Sequence, residues 1–172
     1  MNSLRRFLVT MAVFTPPCLA QTGIVTFYSC PFSFKDELKA SLMPAGRIPF
    51  GGWLFDGKER LAHASPGHFV RFRLATGQHT FSVPWKSKEP GKTVLRLNVE
   101  EGAHYCVRLS AKYVSPVLVP MVWVDSMIEL VPCGQAFQEA GATKPLDSSR
   151  VDAHMRDKLD SLPSFPNENS PN

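Results

Sequence analysis

The sequence predicts an all-β protein: an antiparallel β-sandwich of about seven or eight strands, Ig-like or transthyretin-like, with a short C-terminal helix. Three observations favour this class. Short β-branched and aromatic runs recur about every 10 to 15 residues, and Gly and Pro turn signals separate them. Helical patterns do not alternate with the strands, which a parallel α/β fold would need.

The size and composition of the chain fit one folded domain. It has 172 residues, 44% of them hydrophobic and 20% charged. A chain of this length and composition can bury a sizeable core, so global disorder is not expected. The composition also excludes a collagen, a coiled coil and a multi-span membrane protein.

Residues 1–20 have the pattern of a secretory signal peptide. Arg5 and Arg6 precede a short apolar run over residues 7–14, and small residues lie before a cleavage point at Ala20. We therefore expect an exported protein, periplasmic or secreted after cleavage near Ala20. Two alternatives stay open: residues 7–14 as a buried first strand, and a lipid anchor on Cys18, which the two preceding prolines disfavour.

Cleavage would change the charge of the working protein. It removes Arg5 and Arg6, leaves 17 basic and 15 acidic side chains, and lowers the net charge from +4 to +2. No Lys/Arg cluster remains that would suit nucleic acid. No later apolar run reaches the roughly 18 residues of a transmembrane span. The expected partner is an envelope or extracellular protein, or a glycan, and the oligomeric state is left open.

The first predicted strands end in a hairpin. Residues 24–29 form a β-branched and aromatic run, and residues 31–49 are irregular apart from a short helical turn within 34–42. The next apolar run enters Asp56-Gly57, a two-residue hairpin signal, because Gly accepts the positive φ of a type I′ turn. Residues 58–64 would be the returning strand.

Alternating runs follow, each with an apolar and a polar face. In residues 68–75, Val70, Phe72 and Leu74 point inward while Arg71 and Arg73 point outward. The same alternation predicts strands over residues 78–83, 93–100 and 104–112. The last predicted strands are residues 117–124, broken by Pro120 and so expected at an edge, and residues 127–131.

The chain changes character near its C-terminus. We divide it into a signal peptide (1–20), a sandwich domain (21–140) and a C-terminal helix with a disordered tail (141–172). A serine cap and an apolar stripe predict a weakly docked helix over residues 148–162, with the stripe formed by Val151, Met155, Leu159 and Leu162. That helix would bind a partner or remain a solvated appendage.

Three cysteines would remain after cleavage: Cys30, Cys106 and Cys133. In an oxidising compartment they permit one disulfide and leave one thiol. We predict a Cys30–Cys133 disulfide, because each of these residues ends a strand beside a proline. It would stabilise the fold by about 4–5 kcal/mol in the chain-entropy model. Cys106 lies within a strand and would be a buried thiol.

One stretch resembles a known kind of domain. The pattern consists of a DG hairpin, a G-x-F/Y-V-x-F strand, a G-x-H-T-F turn and strand, and an L-x-L-x-V-x-x-G-x-x-Y run; here these are Asp56-Gly57, residues 67–72, residues 77–81 and residues 95–105. Over residues 24–131 the chain resembles small exported bacterial domains of unknown function. Those domains are often lipoprotein-like and are distantly similar to PEGA-type and carboxypeptidase-regulatory-like sandwiches. Cys106 departs from the pattern, which has an aromatic residue there, and a good lipobox is missing.

The sequence carries no catalytic, cofactor or metal signature. No C-x2-C, H-x-H or H-x3-H pair is present to suggest zinc, although four histidines lie in or beside predicted strands: His63, His68, His79 and His104. There is no G-x-S-x-G elbow, and Glu100 and Glu101 would point to opposite faces of a strand. We therefore expect a non-enzymatic protein with no cofactor and no metal.

Two surfaces are candidates for binding. An outward arginine ladder on neighbouring strands would suit an acidic partner, unless it is only a solvated face; its members are Arg71, Arg73, Arg96 and Arg108. Exposed tryptophans could stack on sugar rings, unless they fill the core; these are Trp53, Trp85 and Trp123. The sequence therefore predicts a protein-interaction or envelope-structural module, with a carbohydrate-binding module as the alternative.

Overall fold

The computed structural model describes residues 21–31, 47–84, 90–91, 93–114 and 123–161. Several predicted features lie outside these residues: the signal peptide, the helical turn within 34–42, Trp85, most of the strand over residues 117–124 and the tail beyond residue 161. Within them the protein is mostly β, with two sheets, and none of its helices is long and apolar enough to cross a membrane.

The described residues form ten strands, one α-helix and two 3₁₀ helices. The strands are β1 (Thr22–Tyr28), β2 (Arg47–Pro49), β3 (Gly52–Asp56), β4 (Glu59–Ala64), β5 (His68–Ala75), β6 (Gly77–Ser82), β7 (Val94–Val99), β8 (His104–Val114), β9 (Trp123–Val131) and β10 (Lys144–Pro145). The α-helix is α1 (Cys133–Ala140), and the 3₁₀ helices span Ser148–Arg150 and Ala153–Lys158.

The strands form two sheets. The first sheet has the order β10-β5-β1-β8, with β9 on the far edge of β8. Strand β2 also pairs with β8, at residues 110–112, and these residues pair with β9 on their other side. β2 therefore lies on the same side of β8 as β1 and follows β1 along that strand. The second sheet has the order β4-β3-β6-β7.

The prediction of an entirely antiparallel sandwich is wrong at two strand pairs. β1 runs parallel to β8, with Thr26 beside Cys106, and β10 runs parallel to β5. The alternation of polar and apolar residues fixes which face a side chain takes, but it does not fix strand direction. Strands far apart in sequence can therefore pair in either direction.

The core lies between the two sheets and follows the predicted faces. Val70, Phe72 and Leu74 are buried, as the alternation predicts. Phe27 on β1 and Phe81 on β6 meet edge to face with ring centroids 4.9 Å apart, joining one sheet to the other. The predicted hairpin is confirmed: β3 and β4 pair across a turn in which Gly57 has φ 55°.

The predicted α-helix over residues 148–162 is wrong within the described range. Two short 3₁₀ helices replace it, while Val151 and Leu159 are extended and bridge to Ala62 on β4 and Phe72 on β5. These tertiary pairings outweigh the local helical pattern. Val151 and Met155 are buried in the main core, so the segment closes one side of the sandwich rather than docking weakly.

Helix α1 is absent from the sequence predictions. It begins directly after Pro132 and lies on the outer face of the first sheet, where Ala136 and Ala140 are fully buried against Tyr28 and Phe69. Residues 136 and 140 are one turn apart and share a helix face. The helix thus makes a second, smaller core on the side of the sheet that faces away from the sandwich.

Candidate functional site

The disulfide joins Cys106 to Cys133, with 5.2 Å between their Cα atoms, and Cys30 is a free thiol. The predicted Cys30–Cys133 pair is wrong. Strand register explains why: Thr26 lies beside Cys106, so Cys30 is four residues farther along, about 13 Å at the rise of a β-strand. Cys133 instead follows Val131, whose partner on β8 is Cys106 itself.

The disulfide lies in the wall of an open pocket at one end of the first sheet. The pocket has a volume of about 370 Å³, and its walls come from the start of β8 and the end of β9: His104, Tyr105, Cys106, Leu130, Val131, Pro132 and Cys133. Cys106 is buried, whereas Cys133 and His104 are half-buried. Leu130, at 48% exposure, is one of two large exposed hydrophobic residues among the described side chains.

His104 lies next to the disulfide. Its Nε2 is 2.9 Å from the hydroxyl of Thr26 and 3.9 Å from the sulfur of Cys106. Burial and the nearby positive charge of Arg71 lower the pKa of His104, although Asp160 opposes them. The imidazole is therefore held in its neutral form at neutral pH.

A charged network lies beside the pocket, under α1. Arg108 on β8 donates to Glu129 on β9 at 2.8 Å and to Glu139 on α1 at 2.8 Å. Glu139 also accepts from the Tyr28 hydroxyl at 2.7 Å and from Gln135 at 2.7 Å. The network ties two strands and the helix together through charge-assisted hydrogen bonds.

Burial and hydrogen bonding act in opposite directions on the network's acid. Burial favours the neutral form of Glu139, but the hydrogen bonds from Gln135, Tyr28 and Arg108 outweigh it and lower the pKa of this carboxyl. The pKa of Tyr28 is raised, by burial first and then by its bond to Glu139. Burial, followed by the charge of Glu139, also raises the pKa of the Cys30 thiol.

The predicted arginine ladder does not form a single face. Arg71, Arg73 and Arg108 lie on the first sheet, but Arg96 lies on β7 of the second sheet, where it lines an open pocket between β6 and β7. Arg71 is buried, with its Nε 3.1 Å from Asp160, and Arg73 lies 3.5 Å from the same carboxylate. Carboxylates of this chain thus pair with three of the four arginines, Arg71, Arg73 and Arg108, in place of the expected acidic partner.

Of the three predicted tryptophans, the structure describes the side chain of one. Trp53 is half-buried, with the His63 ring edge-on at 4.9 Å and the Arg60 guanidinium 5.1 Å from its centroid. Only the backbone of Trp123 is described, on β9, and Trp85 lies outside the described residues. A sugar-binding surface formed by these tryptophans therefore stays a prediction.

No family model, no curated protein and no solved structure matches this chain. The resemblance noted from the hairpin and strand motifs therefore stays a prediction.

Sequence reasoning missed the convergence of His104, Cys106 and Cys133. Residues two apart on a strand share a face, so the H-x-C pair of His104 and Cys106 is a local signal that these two side chains lie together. The position of Cys133 depends on β9 returning beside β8 and on α1 starting there. No local signal in the sequence carries that information.

Proposed function

We propose that this protein is a non-enzymatic, exported interaction module that binds an extended segment of an envelope or extracellular protein along the outer edge of β9, the edge that does not pair with β8. The observation that carries the proposal is the one-sided pairing of this strand. All nine residues of β9 pair with β8, and among the described residues no strand pairs on its other side.

The two sides of the sandwich differ in a way that favours β9 as the binding edge. On one side the C-terminal segment bridges β4 at Ala62 and β5 at Phe72, and β10 pairs with the start of β5, so both of those edges are partly covered. β7 and β9 end their sheets on the other side. An edge strand presents a row of backbone donors and acceptors to which a partner strand can add.

β9 is favoured over β7 by its length and by the adjoining pocket. It has nine residues against six in β7. Leu130 and Val131 at its end line the open pocket. In strand addition, backbone bonds give affinity and pockets for alternate side chains give specificity. An extended segment on β9 would place an apolar side chain in this pocket, whose wall is fixed by the Cys106–Cys133 disulfide.

The arginines and Trp53 are less suited to partner binding. Arg71 and Arg108 already pair with carboxylates of this chain, so a partner would have to replace those contacts. The ring of Trp53 contacts His63 and Arg60, which leaves less of it for stacking on a sugar. A carbohydrate-binding role therefore remains the alternative prediction without a described site.

The proposal includes the location and finer fold class expected from the sequence. The Cys106–Cys133 disulfide supports export, because disulfides persist in oxidising compartments. The two packed sheets support a sandwich of the Ig-like or transthyretin-like kind, modified by the parallel β1–β8 pair.

In-cell photo-crosslinking tests the proposed edge. A photo-reactive amino acid is placed at position 130, or at the exposed turn residue Lys58 as a control. We expect one partner protein to crosslink from position 130 and not from position 58. After purification, this partner should bind the purified module again.

Variants of the edge test this binding. Leu130→Lys should weaken the binding of the partner at least tenfold, because an edge charge opposes strand addition. Val94→Lys, on the other edge and similarly exposed, should leave it unchanged.

Three outcomes would overturn the proposal. They are equal capture from positions 130 and 58, crosslinking only to a second copy of this chain, and rebinding that is unaffected by Leu130→Lys. Binding of a purified glycan that quenches tryptophan fluorescence, with no protein partner, would favour the carbohydrate alternative.

A further inference from the structure

We propose that the reduced protein binds one Cu(I) ion through the sulfurs of Cys106 and Cys133 and the imidazole of His104. The three ligand atoms lie within 4.8 Å of one another in the structure, although the two cysteines are 27 residues apart in the sequence. The inference goes beyond the proposed strand binding: the copper site uses the same pocket after its disulfide is reduced, but it is tested on the isolated protein, so either proposal can fail without the other.

The donor set determines the kind of ion. Thiolate sulfur is a soft ligand that favours Cu(I), zinc and iron–sulfur clusters, and imidazole suits copper and zinc. Structural zinc is almost always held by four ligands, and catalytic zinc by three ligands and a water, whereas Cu(I) is satisfied by two or three soft ligands without water. The described chain thus supplies two soft ligands and one borderline ligand, a set that suits Cu(I) better than a structural zinc ion.

The surroundings allow an ion to enter. The three residues line the open pocket of about 370 Å³, and His104 and Cys133 are half-buried rather than enclosed. His104 and Cys106 share a face of β8, and Cys133 begins α1 above them. The Thr26 hydroxyl, 2.9 Å from Nε2, would give up this contact when the nitrogen binds the ion.

Oxidation closes the site. In the disulfide the two sulfurs are bonded to each other and cannot act as thiolates. Two equivalents of a thiol such as glutathione reduce the bond to two cysteine thiols and leave as one oxidised disulfide. Each cysteine then releases its proton to water as its sulfur binds Cu(I), so the ion enters only the reduced protein.

A competition titration tests the site. The protein is reduced, freed of reductant without air, and titrated with Cu(I) against a coloured Cu(I) chelator. Mature protein beginning at Gln21 and carrying Cys30→Ser serves as the background, because this removes the described free thiol that lies outside the cluster. We expect one equivalent of Cu(I) to bind the reduced protein, and affinity to fall at least tenfold in the disulfide form, in His104→Ala and in a Cys106→Ser/Cys133→Ser double variant.

Circular dichroism of each sample shows whether the protein is folded. The His104→Ala variant retains both cysteines and can form the disulfide, so its affinity for Cu(I) can be measured even if the double variant unfolds. The proposal is overturned if the reduced protein binds no stoichiometric Cu(I), or if His104→Ala binds it unchanged. It is also overturned if Zn(II) binds and Cu(I) does not.

Discussion

One nitrogen of Arg108 donates to both carboxylate oxygens of Glu139, at 2.8 and 2.9 Å. Arg108 is on β8 and Glu139 is in the last turn of α1. This contact therefore holds the helix against the outer face of the first sheet. Because the start of α1 also carries Cys133, the helix is attached at both ends, by a covalent bond and by a charged hydrogen bond.

The Glu139 contact should make stability depend on pH. Its pKa is lowered on folding, so the stabilisation is complete above the ordinary value of 4.5 and is lost as pH falls through the lower folded value. Glu139→Gln should reduce the free energy of unfolding by about 1–2 kcal/mol at pH 7 and by nearly nothing below the folded pKa. Urea denaturation between pH 7 and pH 3 measures the difference.

Asp125→Asn serves as the control for that experiment, because Asp125 is an exposed acid on β9 and its loss changes the net charge equally. The control should have the stability of the original protein at both ends of the pH range. A constant difference for Glu139→Gln across the whole range would show that the carboxylate charge does not stabilise the fold.

The disulfide assignment predicts a simple labelling result. In the unreduced, denatured protein, an alkylating reagent should modify Cys30, while peptides containing Cys106 and Cys133 should be recovered as one linked species by mass spectrometry. A linked peptide containing Cys30 and Cys133 would show that the register of β1 beside β8 is incorrect.

Removing the disulfide should destabilise the fold. With a sequence separation of 27 residues, the chain-entropy model gives a loss of about 3.5 kcal/mol for the Cys106→Ser/Cys133→Ser double variant. Chemical denaturation at pH 7 measures the loss, with Cys30→Ser as the matched single-thiol control. A double variant as stable as the control would mean that the bond does not constrain the unfolded chain.

The C-terminal segment should stabilise the sandwich. Met155 is buried in the main core, so Met155→Ala should lower the free energy of unfolding by about 2–4 kcal/mol. Lys158→Ala changes an exposed residue of the same 3₁₀ helix and should lie within about 0.5 kcal/mol of the original protein. If Met155→Ala were equally mild, the segment would not be packed as described.

Much of the sheet structure could be predicted from local patterns. The alternation in residues 68–75 correctly placed Val70, Phe72 and Leu74 in the core, and Asp56-Gly57 marked a real hairpin. These features depend on neighbours in sequence. The local pattern also identified Val151, Met155 and Leu159 as an apolar stripe. It assigned them to a helix because it carries no information on the bridges that Val151 makes to β4 and Leu159 makes to β5.

The candidate site could not be predicted in the same way, because it depends on strand order. The parallel pairing of β1 with β8 carries Cys30 away from Cys106, and the antiparallel return of β9 brings Cys133 back to it. The carboxylates that meet Arg71 and Arg108 likewise come from Asp160, Glu129 and Glu139, on other elements. The alternation pattern predicted the arginines on neighbouring strands, but it carried no information on which carboxylates pair with them.

The measurement that tests the central claim most directly is amide hydrogen exchange of β9 in the isolated protein, residue by residue. In an antiparallel edge strand, alternate N–H groups bond to the neighbouring strand and the others face outward. We predict alternating slow and fast exchange along β9, with slow exchange throughout the part of β8 that has strands on both sides. Slow exchange at every amide of β9 would mean that this edge is already covered, and would contradict a partner strand adding there.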